Sequence, residues 1–342
     1  MEETIKTNSL KAWVLAARPV TLTAAAVPVL LGIVFAWRRV ITLGKTTIYM
    51  AESDMVYTGM PHIEYDLTGV FNWVPAILCL LFAWVMQIDS NFVNDYFDCK
   101  KGADGETRLG PRRACSQGWI TMKAMKIGIA ITTLIACIIG LPLVFYGGIE
   151  MVLVGITCVA FCFLYTTSLS YLGLGDVLVL MFFGIVPVCC TYYVCMPEPI
   201  QLPTGKVFIA SIACGMVVDT LLLVNNYRDR HNDRKAGKMT MAVRFGGVAT
   251  WLIYLHIGFF SAVIMAIVSF DDMEKFGVSV PLYLMQIIYG YYHFKASREM
   301  KRLRGKQLNK VLGMTARNIF IFGLVNVFTL FAVTLFIKTP TW

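Results

Sequence analysis

Asn91-Phe92-Val93-Asn94-Asp95-Tyr96-Phe97-Asp98-Cys99-Lys100-Lys101-Gly102-Ala103-Asp104 sits where a long apolar run gives way to a basic loop. On a helix, Asn91, Asn94 or Asp95, and Asp98 recur every three or four residues and so share one face. Carboxylates are costly at a membrane boundary and are seldom placed there without a cation or a partner. The stretch therefore predicts a divalent-metal site that holds an anionic substrate. Asp104 follows Gly102, beyond the regular helix, and joins the set only if the loop folds back.

The surrounding composition defines the setting. Of 342 residues, 57% are hydrophobic and only 15% are charged, against roughly a quarter charged in soluble domains. Several apolar runs reach the roughly 20 residues that span a bilayer as helix. The class is all-α and polytopic, embedded in lipid. The net charge of +9 is carried by short loops between apolar runs, which is an orientation signal of membrane proteins and not a nucleic-acid footprint. The ten cysteines lie mostly inside apolar runs and form no CxxC pair, so neither a disulfide framework nor a zinc site is indicated. Met1 to Lys11 is polar and mixed in charge, unlike a cleavable signal peptide.

Outward from the motif, Ala16-Ala17-Arg18-Pro19-Val20-Thr21-Leu22 opens the first span, with Pro19 suited to a first helical turn. That run ends at about residue 37, and 38–69 is a longer polar connection. The second span runs from about Phe71 into the motif; further runs cover about 119–146, 149–169, 176–196, 206–227, 248–270, 277–294 and 315–337. The expected architecture is thus nine transmembrane helices around a central cavity. Loops 99–118, 228–247 and 295–313 are densely basic, while Asp271-Asp272-Met273-Glu274 is acidic. That bias places the amino terminus and both acidic motifs on the cytoplasmic side.

The motif has an internal echo. Val93-Asn94-Asp95-Tyr96-Phe97-Asp98 aligns without a gap on Val224-Asn225-Asn226-Tyr227-Arg228-Asp229, at the ends of spans two and six. Two four-helix halves, about 12–175 and 176–312, with a ninth helix at about 315–337, are expected to form one domain over 1–342 with a shared site between them. In the second copy Asn225, Asp229 and Asp233 fall on one helical face. Alone, an Asp-rich helix end beside basic residues is an ordinary solvated cap. Two matching copies argue for a site of hard cations, and Mg²⁺ suits such an oxygen-rich setting. The interleaved Arg and Lys residues suit a diphosphate. His231, a lone histidine in a polar loop, is left out of the site.

Several further segments, in order, resemble the UbiA superfamily of intramembrane aromatic prenyltransferases, and within it the MenA-like branch that prenylates 1,4-dihydroxy-2-naphthoate. They are Ala17-Arg18-Pro19 with Thr21-Leu22; Asn91 to Asp104; Gly110-Pro111 with Arg113-Ala114 and Gly118; Tyr171-Leu172-Gly173-Leu174-Gly175-Asp176 with Phe182-Phe183-Gly184; and Asn225 to Lys238 followed by Thr240 and Val243-Arg244-Phe245-Gly246. Two departures stand out. Position 102 is Gly where the wider superfamily often has Asp, and Thr166-Thr167-Ser168-Leu169-Ser170 lacks the Gly and Pro expected there.

The resemblance implies a bacterial inner-membrane enzyme that moves a polyprenyl group from its diphosphate to an aromatic acid, with loss of CO₂. It implies Mg²⁺ held by Asn91, Asp95, Asp98, Asn225, Asp229 and Asp233, with Asp104 as a further ligand, and Asp95, Asp98, Asp229 and Asp233 as the catalytic carboxylates. Arg228, Lys238, Lys101 and Arg113 are the expected diphosphate contacts. Arg18 reads equally as a partner for the acid's carboxylate or as a membrane anchor. Other acceptors, such as 4-hydroxybenzoate, chlorophyllide, haem or glycerol phosphate, and a cation-coupled transporter are the competing readings.

Overall fold

The computed structural model describes residues 5–54, 71–102, 108–276 and 281–335, and every regular element among them is helical. Residues 38–54, expected to begin a polar connection, instead continue the first long helix to Asp54, while Asp104 and residues 55–69 lie outside the described residues. The helices are α1 (Leu10–Ala17), α2 (Leu22–Asp54), α3 (Trp73–Lys100), α4 (Met122–Gly140), α5 (Val144–Gly147), α6 (Glu150–Leu164), α7 (Gly175–Leu180), α8 (Val186–Cys195), α9 (Gly205–Lys235), α10 (Met241–Phe276), α11 (Pro281–Arg302) and α12 (Leu308–Leu335).

Their boundaries follow local chemistry. The side chains of Ser9, Asn72, Thr121 and Thr204 accept from the first-turn amides of α1, α3, α4 and α9, groups that have no partner within the helix. Lys100 closes α3, and Arg234 and Lys235 close α9, where the helix dipole favours cations. Pro19 begins a short 3₁₀ turn, Pro19–Thr21, that joins α1 to α2. π-helical turns at Tyr165–Leu169 and Met181–Ile185 interrupt the fourth and fifth spans. The first of them is built from the segment that lacks the expected Gly and Pro.

Among the described residues, eight helical segments are long and apolar enough to cross a membrane. The remaining expected run, 277–294, begins outside the described residues and continues as α11, which packs against α10 and α12. Large side chains such as Phe145, Ile149 and Val248 stand exposed on the outside of the bundle, as lipid-facing residues do. The protein is a multi-pass membrane protein. Its main core gathers Leu31, Val188, Tyr192, Cys214, Met265 and Phe322 from α2, α8, α9, α10 and α12. A second cluster around Phe92 and Met125 joins α1, α3 and α4, and a third around Leu223, Tyr254 and Met300 joins α9, α10 and α11. Asp89 is fully buried on α3, and its carboxylate accepts from Thr132 and from Thr133 (3.0 Å) on α4. Hydroxyl donors thus replace the water that this buried acid lacks.

Close helix approach depends on small residues. At Gly184 an added Cβ would stand 2.6 Å from the Ser211 carbonyl oxygen and 2.7 Å from Gly215 Cα on α9. Gly184→Ala must push the two helices apart and is expected to cost about 1–3 kcal/mol. The readout is a lower thermal unfolding midpoint of the detergent-purified protein; an unchanged midpoint would show that α9 yields without cost.

Candidate active site

The predicted face of α3 divides into two directions. Asn91 and Asn94 line a cavity inside the bundle. The Asn91 amide donates to the Ala17 carbonyl and to Thr21 Oγ1, both at 2.9 Å. Thr166 Oγ1 donates to Asn94 Oδ1 at 2.6 Å. Asp95 is 1% exposed and turns instead to the loop after α3, accepting from the backbone N–H of Ala114 (2.8 Å) and of Cys115 (2.9 Å). That grip places Arg113, whose Nη2 donates to Asp98 Oδ2 at 2.7 Å. Each Asp95 oxygen takes one amide, and the Cys115 side chain hydrogen-bonds the same carboxylate.

The junction of α1 and α2 is equally constrained. Arg18 adopts left-handed backbone at φ 52, a region non-glycine residues rarely occupy and one that clusters at functional sites. Asn91 holds the carbonyl just before Arg18, and Thr21 Oγ1 donates to the Arg18 carbonyl at 2.8 Å. The Arg18 side chain is in electrostatic range of Asp95, Asp98, Arg108 and Arg113. Its Nη2 is buried and has no hydrogen-bond partner among the described residues. In the loop after α3, burial and then the neighbouring Arg113 guanidinium bring Arg108 down to about 10, so it stays cationic at neutral pH.

The end of α9 meets this group from the other side. Arg228, 4% exposed, forms a two-pronged ion pair with Asp229, at 2.9 Å from Nε and 2.6 Å from Nη2. Its Nη1 donates to Asn309 Oδ1 at 2.7 Å, and Asn309 Nδ2 donates to the Leu109 carbonyl at 2.8 Å. Next to Leu109, a Cβ on Gly110 would lie 2.8 Å from Arg228 Nη2, so the loop after the first motif rests directly on the second. Asp233 is in electrostatic range of Lys238, Asp229 and Asp98. Lys101 and Lys238 reach one aromatic ring, that of Tyr171. The cavity, about 440 Å³, is bounded at its polar end by Thr21, Asn91, Asn94, Tyr165 and Asn225, and beyond them by apolar side chains of α2 to α9 such as Phe82, Val159, Phe161 and Phe182.

Asp98, Asp229 and Asp233 therefore share one end of the bundle, with Asn91 and Asn225 lining the cavity. Among the described residues no three Asp, Glu, His or Cys side chains form a closed metal cage. The donors are hard oxygens divided between two helix ends, with Arg113 on Asp98 and Arg228 on Asp229. That open set fits Mg²⁺, which takes few protein ligands and fills its other positions with water and phosphate oxygens. Sequence reasoning missed Asn309, which has no local signal: its partners Arg228 and Leu109 lie 81 and 200 residues away. It also gave no role to Asp176 and Asp219, buried on α7 and α9 in electrostatic range of Tyr165, each with an oxygen lacking a hydrogen-bond partner among the described residues.

The site and fold define a class: a helical membrane protein whose apolar cavity is lined by asparagines of two motifs that carry paired acidic and cationic side chains. Residues 56–311 match the model of the UbiA prenyltransferase family, and the chain belongs to that family. It is an enzyme of prenyl transfer. The 1,4-dihydroxy-2-naphthoate octaprenyltransferase of Escherichia coli (strain K12) is 32% identical over 250 residues, covering 70% of each chain. The protein of that name from Haemophilus influenzae is 36% identical over 185 residues, 52% of this chain and 59% of that one. A solved UbiA homolog from Archaeoglobus fulgidus bound to GPP and Mg²⁺ shares the fold, with a TM-score of 0.55 at 14% identity over 95% of this chain and 99% of that chain.

Proposed function

We propose that the protein transfers a polyprenyl group from polyprenyl diphosphate to 1,4-dihydroxy-2-naphthoate, releasing diphosphate and CO₂ and giving demethylmenaquinol. The observation that carries this reading is the apolar cavity ending in Asn91, Asn94 and Asn225, beside the ion pairs Arg113–Asp98 and Arg228–Asp229. The naphthoate relatives support the acceptor, and the Mg²⁺-bound family structure supports the metal. Family membership sets the ion-transport reading aside.

In this reading the prenyl tail lies among Phe82, Val159, Phe161 and Phe182, out of water. Asp98, Asp229 and Asp233, with Asn91, Asn225 and Asp95, would hold Mg²⁺. Bound Mg²⁺ supplies the positive charge that stabilises the departing diphosphate. When the diphosphate enters, Arg113 and Arg228 exchange their carboxylate partners for phosphate oxygens, which frees Asp98 and Asp229 to face a cation. The exchange keeps each buried guanidinium paired throughout, which avoids the large cost of an isolated buried charge. Arg228, Arg113, Lys101 and Lys238 then surround the leaving group as the prenyl–oxygen bond breaks. The apolar wall excludes water from the allylic cation, so the aromatic ring is the available nucleophile. The prenyl group bonds to the ring carbon that bears the carboxylate. Loss of CO₂ returns the bonding electron pair to the ring.

Arg18 is the partner for the acceptor's carboxylate, because its buried Nη2 has no hydrogen-bond partner among the described residues. A charged hydrogen bond is worth about 1.5–3 kcal/mol, so Arg18→Ala is expected to raise the acceptor KM by roughly tenfold or more. The KM for polyprenyl diphosphate should hold. An equal rise in both would return Arg18 to the role of membrane anchor. The reading as a whole is tested with detergent-purified protein, Mg²⁺, a polyprenyl diphosphate and dihydroxynaphthoate, following prenylated quinol and CO₂. Activity with 4-hydroxybenzoate and none with the naphthoate would overturn it.

A further inference from the structure

One cation from each motif comes to the same aromatic ring. Lys101 Nζ lies 4.2 Å and Lys238 Nζ 5.0 Å from the centroid of Tyr171. Two ammonium groups repel, so their approach to one ring is offset by negative potential, which the face of the tyrosine ring supplies beside the charge of Asp233 near Lys238. Lys101 is steadied further by the carbonyls of Thr166 (3.4 Å) and Thr167 (3.1 Å), in the π-helical turn Tyr165–Leu169.

The backbone that carries the ring is fixed to both sides of the site. The Tyr171 N–H donates to the Ser168 carbonyl at 3.1 Å, within the first half. The Met239 N–H, just past Lys238, donates to the Tyr171 carbonyl at 3.0 Å. Arg244 Nη2 donates to the neighbouring Leu172 carbonyl at 2.8 Å and its Nε to the Met239 carbonyl at 3.0 Å. The loop that connects the two halves is thus stitched to the second motif, with Tyr171 at the seam. Nothing in the composition of 170–175 signals this, because both lysines arrive from distant helix ends.

We propose that Tyr171 is a positioning residue for the diphosphate: its ring holds Lys101 and Lys238, one from each motif, as preformed cations for it. The inference rests on the prenyl-diphosphate reading of the site. An arriving diphosphate then meets two ammonium groups already held at one ring, and leaves less ordering to be done on binding. The ring acts through the two lysines, so its effect is read first in diphosphate affinity.

The test measures binding of inorganic diphosphate with Mg²⁺ to the full chain in detergent by calorimetry, beside KM and kcat with polyprenyl diphosphate. Three forms are compared: Tyr171→Phe, Tyr171→Leu, and a trifluorinated phenylalanine placed at the same position. Phenylalanine keeps the ring face and should stay near the unsubstituted protein. The fluorinated ring has the same shape with its negative face removed; it should weaken diphosphate binding and raise KM about tenfold with kcat little changed, and so should Tyr171→Leu. A purely structural role would not distinguish the two rings of equal shape, so equal affinity for them overturns the proposal even if Tyr171→Leu fails to fold. Lack of diphosphate binding by the unsubstituted protein would overturn the prenyl-diphosphate reading, and this inference with it.

Discussion

Asp98→Asn and Asp229→Asn are each expected to lower kcat by about 10²–10³-fold, the scale of removing one preorganised charge-stabilising group. Both side chains are partly buried, at 14% and 28% exposure, and each is paired with an arginine. In the proposed cycle they release that arginine to the diphosphate and take up the cation in its place. Asparagine keeps an oxygen that can accept from Arg113 or Arg228 but removes the charge that a cation needs. The residues act as one unit, so the double substitution should cost less than the product of the single effects. The measurement is single-turnover prenyl transfer across a Mg²⁺ titration, in which both variants should require more metal. Full turnover in both would sink the metal-site reading.

Asp95→Asn should act differently, although Asp95 sits in the same motif. Both of its oxygens accept backbone amides of the 114–115 segment. Asparagine would set its NH₂ against one of those N–H donors at a site 1% exposed. One buried donor is then left without an acceptor, at a cost of about 1–3 kcal/mol. The loop carrying Arg113 loosens, and Arg113 loses its aim at Asp98. The expected result is a lower unfolding midpoint together with lost activity. Asp98→Asn should move the midpoint less, because Asp98 accepts from the Arg113 side chain and, among the described residues, from no loop backbone N–H. If Asp95→Asn left the midpoint unchanged while turnover fell, Asp95 would act through the metal alone.

The contrast between Asp95 and Asp98 marks how far sequence reading extends. Helical periodicity places Asn91, Asn94, Asp95 and Asp98 within one broad face. It does not say which edge of that face meets another segment. Asp95 turns to Ala114 and Cys115, Asn94 to Thr166, and Asn91 to Ala17 and Thr21. Each partner comes from a different part of the chain, and only packing selects among them. The Thr166–Ser170 segment illustrates the same limit. Its missing Gly and Pro were visible, but the π-helical turn and the carbonyls it offers to Lys101 were not.

By itself the sequence determined the membrane class, the main helical runs, the two acidic motifs and their basic companions. These follow from the length of apolar stretches, the helical period and residue chemistry, all of which are local. Tertiary structure alone decided that Arg113 pairs with Asp98, that Asn309 ties Arg228 to Leu109, and that Lys101 and Lys238 share the ring of Tyr171. Those contacts join residues far apart in the chain. Their geometry is set by how the helices and loops pack against one another, a property that no window of sequence contains.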